Sequence, residues 1–333
     1  MSAAQKLAWW TALAVLAIGL PWLDNSFVLT TSIAALYLAY QALSWNLVGG
    51  LAGQFSLGNT IFIGVGAYAS TYLFLTFGLS PWLGIFVGAG LAVVISYLIG
   101  FVTFRLNLRG LYFAMVTLAL AQVVQVLVEN NQALGGAYGL LIPVRGTDVA
   151  AFQFESRKVY YYLILAMVVG AAALMHAVQR SRVGLMLDGL RENEAAAQAV
   201  GVPVVRNMQL VFGMSAALAA IGGSFMAQYT LFIDPKSTFS WTEAVFFLLP
   251  AIVGGTRHWS GPIVGAFLLT VVNDGSRLLF GNSIKGLPYI IFGIVVILVV
   301  MKTRAGIVDW IAERWQARSE ARRAAAEGGN ASA

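Results

Sequence analysis

Runs of about twenty apolar residues recur along nearly the whole of this 333-residue chain. That length decides more than any other feature, because a helix of ~20 residues crosses the ~30 Å hydrocarbon core of a bilayer. The mean hydropathy is +0.79, and twenty basic with fourteen acidic residues cannot furnish the water-facing surface of a soluble globule this large. The fold class is therefore all-α, a polytopic transmembrane helical bundle. Ten candidate spans follow: 7–23, 28–48, 56–77, 82–104, 110–128, 158–178, 208–232, 240–256, 260–280 and 286–302. Lys6 before the first run has the look of a secretory signal, but no small-residue cleavage site follows. Pro21, Trp22 and Asp24 instead make an interfacial stop, so the run is kept as a span.

Ten spans put both termini on one side. With that side cytoplasmic, fourteen of the twenty lysines and arginines lie inside. Only Arg145, Arg157, Lys158, Lys236, Arg277 and Lys285 lie outside, the asymmetry that sets membrane orientation. Residues 1–304 form the membrane domain. From 305 to 333 the chain becomes a cytoplasmic tail, a basic amphipathic helix with Ile307, Trp310, Ile311 and Trp315 on one face, fading into a disordered end. The excess positive charge answers to topology and to the lipid surface, so no nucleic-acid partner is inferred.

Glycine marks where the helical pattern breaks. GGLAGQFSLG, with Gly49, Gly50, Gly53 and Gly58 and no charge, sits at a membrane boundary where an ordinary loop would be polar. An unwound or tightly packed backbone is expected there. LLPAIVGG places Pro250 inside a span and Gly254 and Gly255 at its end, which predicts a kink or discontinuity near mid-depth. VGGLAGQFSLG and VGGTRHWSGP echo one another six spans apart, as a parallel internal repeat would. Outside, the stretch Glu129 to Lys158 is the longest loop, with Gly135, Gly136, Gly139 and Pro143 as turn signals.

Catalytic chemistry finds little to work with. There are no cysteines, which removes disulfides, thiolate metal ligands and cysteine nucleophiles. His176 and His258 have no second ligand at metal-binding spacing, so no metal site is expected. Ser224 with His176 is the one conceivable hydrolytic pair, but Ser224 belongs to a small-residue face, Gly213, Ala217, Ala220, Gly223 and Ala227, suited to helix packing. No phosphate-binding loop is present. Gln122, Gln125 and Glu129 form a polar stripe that must face protein or water. Together with Gln54, Ser56, Asn59 and Tyr138, the two glutamines are candidates to line a solute path. No carboxylate stands out at mid-depth, which favours an energy source outside this chain over a proton or sodium gradient.

LRENEAAAQAVGVP, Leu190 to Pro203, interrupts two apolar runs with a short deliberate helix. Asn193 caps it, Glu194 occupies the first turn, Ala195, Ala196 and Ala197 propagate it, Gly201 ends it and Pro203 prevents continuation. Its alanine surface admits another protein's groove, with Arg191, Glu192 and Glu194 supplying charge at one end. Three classes remain open on these residues: the membrane subunit of an ATP-driven importer, an autonomous gradient-driven carrier or channel, and a membrane enzyme, the last disfavoured for want of a catalytic constellation.

RENEAAAQAVGV resembles the cytoplasmic coupling loop of bacterial ABC importer permeases. GLAGQFSLGNTIFIGVGAY, LRGLYFAMVTLALAQVV, GGAYGL, SRVG, SAALAAIGGSF and VGGTRHWSGPIVGAF follow in an order and spacing that resemble the M-type branched-chain amino acid permease family from about Ile33 to Met301. That resemblance implies a bacterial inner-membrane subunit paired with a second, related permease. It further implies two ATPase subunits that bind ATP and magnesium and dock on the loop of Arg191, Glu192, Glu194, Ala195, Ala196 and Gly201, and a periplasmic binding protein that delivers the solute. The permease itself then needs no cofactor and is no enzyme.

Overall fold

A computed structural model describes residues 19–23, 25–144, 146, 148–280, 287–303, 306–310 and 314. The expected first span lies almost wholly outside these residues, as do the 304/305 domain boundary and the tail residues Ile311 and Trp315. Among the described residues, eight stretches are long and apolar enough to cross a membrane. They comprise α1 (Ser26–Asn46, prolonged by a turn to Leu51), α2 (Asn59–Phe77), α3 (Pro81–Arg105), α4 (Leu111–Glu129), α5 (Arg157–Arg180) and, after two short helices, α8 (Val204–Thr230). Completing the set are α9 (Pro235–Thr238) with α10 (Trp241–Gly254), and the stretch Ile290–Trp310, which includes most of α12 (Leu287–Lys302). The span expected at 260–280 is helical as α11 (Gly261–Phe280). It carries Asn273, Asp274 and Arg277 in its second half. The architecture is thus all-α and polytopic.

Local chemistry sets the ends. Asn25 caps α1 by accepting from the Phe27 and Val28 amides, Ser156 caps α5 through the Lys158 amide, and Gly78, at φ +65°, closes α2. Small residues then set how closely the helices approach. A Cβ on Gly66 of α2 would land on the Ala220 carbonyl of α8, and one on Gly223 would land on the Ile63 carbonyl. The Ser224 hydroxyl donates to the Gly66 carbonyl at 2.9 Å. The small face of α8 is therefore a packing surface against α2 and α3. Across α1 and α8, Ser44 and Ser215 exchange hydrogen bonds, each hydroxyl donating to the other's carbonyl at 2.8 and 2.7 Å. In a bilayer, where burial of apolar surface separates helices no less readily than it joins them, such contacts carry the association.

The bundle has two distinct ends. At one, residues 130–156 fold back, the Ser80 hydroxyl and the Trp82 indole donate to the Ala150 and Val149 carbonyls, and Arg157 reaches Ser26 and Thr30. Here β1 (Leu140–Leu141) and β2 (Phe232–Ile233) pair antiparallel, Leu140 opposite Ile233. Two-residue strands leave no periodic signature, so this ladder was not expected. The opposite end gathers residues 47–58, 106–110, 181–203 and 254–260, and the basic side chains of Arg105, Arg109, Arg180, Arg182, Arg191, Arg206, Arg257 and Lys302 belong to it, as the charge asymmetry requires.

Both glycine breaks take definite forms. After Asn46 the chain makes a π-helical turn, Leu47–Leu51, and then runs as irregular backbone, with Gly53 at φ +66°, to Asn59. The discontinuity expected near mid-depth at Pro250 falls elsewhere. Helix α10 continues through Pro250 and ends at Gly254, with Gly255 at φ +117°. Pro250 lies only four residues from that end, so its missing N–H withdraws one bond from a helix about to stop. At 14 residues, α10 is only ~21 Å long, and α9 completes the stretch.

Candidate functional site

The charged interruption forms two helices, where one had been expected. Ser181 caps α6 (Arg182–Glu192) through the Gly184 amide. Asn193 both ends α6 and caps α7 (Glu194–Ala199), its side chain accepting from the Ala196 amide at 3.1 Å. Gly201, at φ +85°, turns the chain toward Pro203 and α8. The amphipathic RVGLMLDGLRE segment went unread as a helix because two glycines, Gly184 and Gly189, interrupt it.

Between α6 and α7 lies an apolar groove of about 550 Å³ whose lining includes Leu185, Met186, Ala196, Ala197, Val200 and Val202. Ala195 and Ala196 are exposed, as are Glu192 and Gly201, and Val200 is 82% exposed. An apolar patch exposed on a capped helix pair is the kind of surface that meets a protein partner or a membrane.

Arg191 turns toward its own chain. Its guanidinium donates to the Gly50 carbonyl at 2.9 Å, and its stem passes Gly53, where an added Cβ would lie 3.3 Å from the Arg191 Cγ. The α6–α7 element is thereby tied to the first glycine break. Asn46, wholly buried at the start of that break, donates from Nδ2 to the Thr256 carbonyl at 3.2 Å, immediately beyond the second break. Gln179 donates to the Arg257 carbonyl at 3.0 Å, and the Arg257 amide donates to Asp309 at 3.3 Å. The two segments that echo one another in sequence therefore face each other at one end of the bundle, with Gly254 and Gly255 packed on Gly261 and Gly306.

Gln54, Ser56 and Asn59 come together in the irregular segment. All three are buried, and Gln54 Oε1 and Asn59 Nδ2 meet no partner. The Ser56 carbonyl accepts from the Trp45 indole at 2.7 Å, and its hydroxyl accepts from the Gly58 amide. The other path candidates lie apart from these. Gln122 is exposed on α4, Gln125 donates to Glu129 at 2.8 Å, and Tyr138, 92% exposed, projects from the far loop. Ser224 spends its hydroxyl on the Gly66 and Ala220 carbonyls. His176 and His258 each lie against the Trp259 ring.

A second concavity, of about 310 Å³, opens at the end of the bundle away from Arg191 and has Tyr37, Met226, Asp234, Glu243 and Phe247 in its lining. Glu243 stands in the first turn of α10. The signal available in the sequence was a single carboxylate at the head of an apolar helix.

A profile of the family described as branched-chain amino acid transport system / permease component matches residues 27–300. The chain is 29% identical over 310 residues to the high-affinity branched-chain amino acid transport system permease protein LivM of Escherichia coli (strain K12), covering 84% of this chain and 72% of that protein. It is 23% identical to the probable branched-chain amino acid transport permease protein LivH of Methanocaldococcus jannaschii, over 71% of this chain and 76% of that one. It is also 21% identical to the fructose import permease protein FruF of Bifidobacterium longum, over 86% and 88% respectively. No solved structure matches the chain significantly.

Proposed function

The chain belongs to the branched-chain amino acid transport system permease component family, the multi-pass membrane subunits of ABC importers, and on that premise we propose that it passes branched-chain amino acids across a bacterial inner membrane. In this reading it pairs with a second, related permease, receives solute from a periplasmic binding protein at the end of the bundle that holds residues 130–156, and is driven by two ATPase subunits at the other end. ATP and its magnesium ion belong to those partners.

The observation that carries the coupling role is the groove between α6 and α7 together with the Arg191 hydrogen bond to Gly50. A partner seated in the groove displaces α6, and α6 carries Arg191 with it. Movement of Arg191 pulls on the π turn at Leu47–Leu51, and Asn46 passes the shift to Thr256. Irregular backbone can change its dihedral angles without breaking a helix ladder, so both breaks are suited to absorb such a movement and re-aim α1 and α10.

The test uses the absence of native cysteine. Ala196→Cys, exposed in the groove, should crosslink to a co-expressed ATPase subunit, and the yield should change with nucleotide. Folded, membrane-inserted protein that gives no crosslink would sink the docking role and make a gradient-driven carrier the reading to pursue.

A further inference from the structure

We propose that the cavity among α1, α2, α8, α9 and α10 is a solute-binding site for a primary ammonium group attached to an apolar side group, with Glu243 holding the charge. The proposal rests on the permease reading and deepens it, because relatives named for amino acids and for a sugar leave the chemistry of this chain's solute open.

Its volume of about 310 Å³ falls at the lower end of the ~300–1,000 Å³ range of small-molecule pockets. Ile63, Met226, Phe232 and Phe247 give it apolar walls. Most of its polar groups are already committed. Asp234 caps α9, one oxygen accepting from the Ser237 amide at 2.9 Å and the other from the Ser237 hydroxyl. The Thr230 hydroxyl is held by the Met226 and Phe232 carbonyls at 2.8 and 2.9 Å.

Glu243 differs from these. It is half-buried in the first turn of α10, and among the described residues its carboxylate makes no hydrogen bond or ion pair. Among the described residues no lysine or arginine lines the cavity. A favourable helix dipole alone would be served as well by a carboxylate turned to water, whereas this one stands in a cavity with Phe247. Tyr37 lies beside it in the lining, its ring buried and its oxygen held by Gln41 Nε2 at 3.1 Å.

One uncompensated carboxylate and apolar walls fit an ammonium, a compact cation with three donors. They do not fit a sugar, whose several hydroxyls would enter a site with few free partners and lose their hydration. In a membrane protein an unpaired carboxylate with a water-accessible cavity in front of it marks a solute path.

The assay places Thr230→Cys in the complete transport complex, reconstituted in proteoliposomes, and follows its labelling by 2-aminoethyl methanethiosulfonate and by the anionic 2-sulfonatoethyl reagent. The cationic reagent should react faster, and Glu243→Gln should cut that preference about tenfold, a change on the scale of one charge-assisted hydrogen bond. L-leucine and 3-methylbutylamine should slow the labelling, while 4-methylpentanoate and fructose should not. Equal charge preference with and without Glu243→Gln, or protection by fructose in place of leucine, overturns the proposal. Thr238→Cys provides a second reporter if the first fails to fold. ATP-driven leucine uptake, measured on the same unlabelled complexes, separates the two levels. Uptake without protection overturns the cavity, whereas protection by the amine without leucine uptake overturns the branched-chain amino acid reading and leaves the cavity standing.

Discussion

Replacing Arg191 with alanine should weaken the link between the α6–α7 element and the membrane core while leaving both intact. The 2.9 Å hydrogen bond from the guanidinium to the Gly50 carbonyl is charge-assisted, and Gly50 is buried. Stranding a buried acceptor costs about 1–3 kcal/mol. Arg191 is itself exposed, so water can follow the truncated side chain in, and solvent screening lowers the effect toward ~1 kcal/mol. A difference of that size is roughly a five- to tenfold change in an equilibrium. Solute carried per ATP hydrolysed in proteoliposomes should therefore fall about five- to tenfold in Arg191→Ala, with ATP hydrolysis near its original rate because the groove on α6 and α7 is unchanged. Arg191→Lys keeps the charge but not the fork, and should recover part of the loss. An unchanged transport-to-hydrolysis ratio would refute the relay. A ratio preserved alongside a collapse of both rates would show that Arg191 serves partner docking instead.

Two pairs of substitutions test the packing that holds these parts in place. Gly66→Ala drives a methyl group into the Ala220 backbone and should lower stability by about 1–3 kcal/mol, read as a drop in the thermal midpoint of the detergent-solubilised protein. Gly170→Ala, where nothing lies within 4 Å, should be neutral or stabilising, and equal losses at the two sites would contradict the close approach of α2 and α8. Ser44→Ala and Ser215→Ala each remove one of two reciprocal interhelical bonds and should cost about 0.6 kcal/mol apiece, the average for such bonds in membranes. A loss above ~3 kcal/mol in either thermal melt would assign these serines a larger role than helix pairing.

The short capped helix was legible because its signals are local. Asn193, Gly201 and Pro203 act on their own turns, and the structure caps and ends α7 with these residues. The glycine-rich break was legible for a related reason, since Gly49 to Gly58 has neither the charge of a loop nor the uninterrupted run of a span. Pro250 misled, because its effect depends on how far the helix continues beyond it. The two-residue ladder at Leu140 and Phe232 was invisible, because pairing that short is imposed by what surrounds it.

Sequence by itself determined that this chain crosses a membrane repeatedly, which side its charges favour and where a short capped helix interrupts the spans, since bilayer thickness and helix caps act on consecutive residues. Only the tertiary structure decided that Arg191 grips Gly50, that Asn46 bridges two breaks 210 residues apart, and that the polar path candidates divide between opposite ends. It also singled out Glu243 as a carboxylate without a partner among the described residues. Those facts depend on which helices pass close to one another. In a bilayer, where every helix is apolar, that choice is made by the fit of small residues such as Gly66 and Gly223 against distant backbone, and no stretch of sequence records it alone.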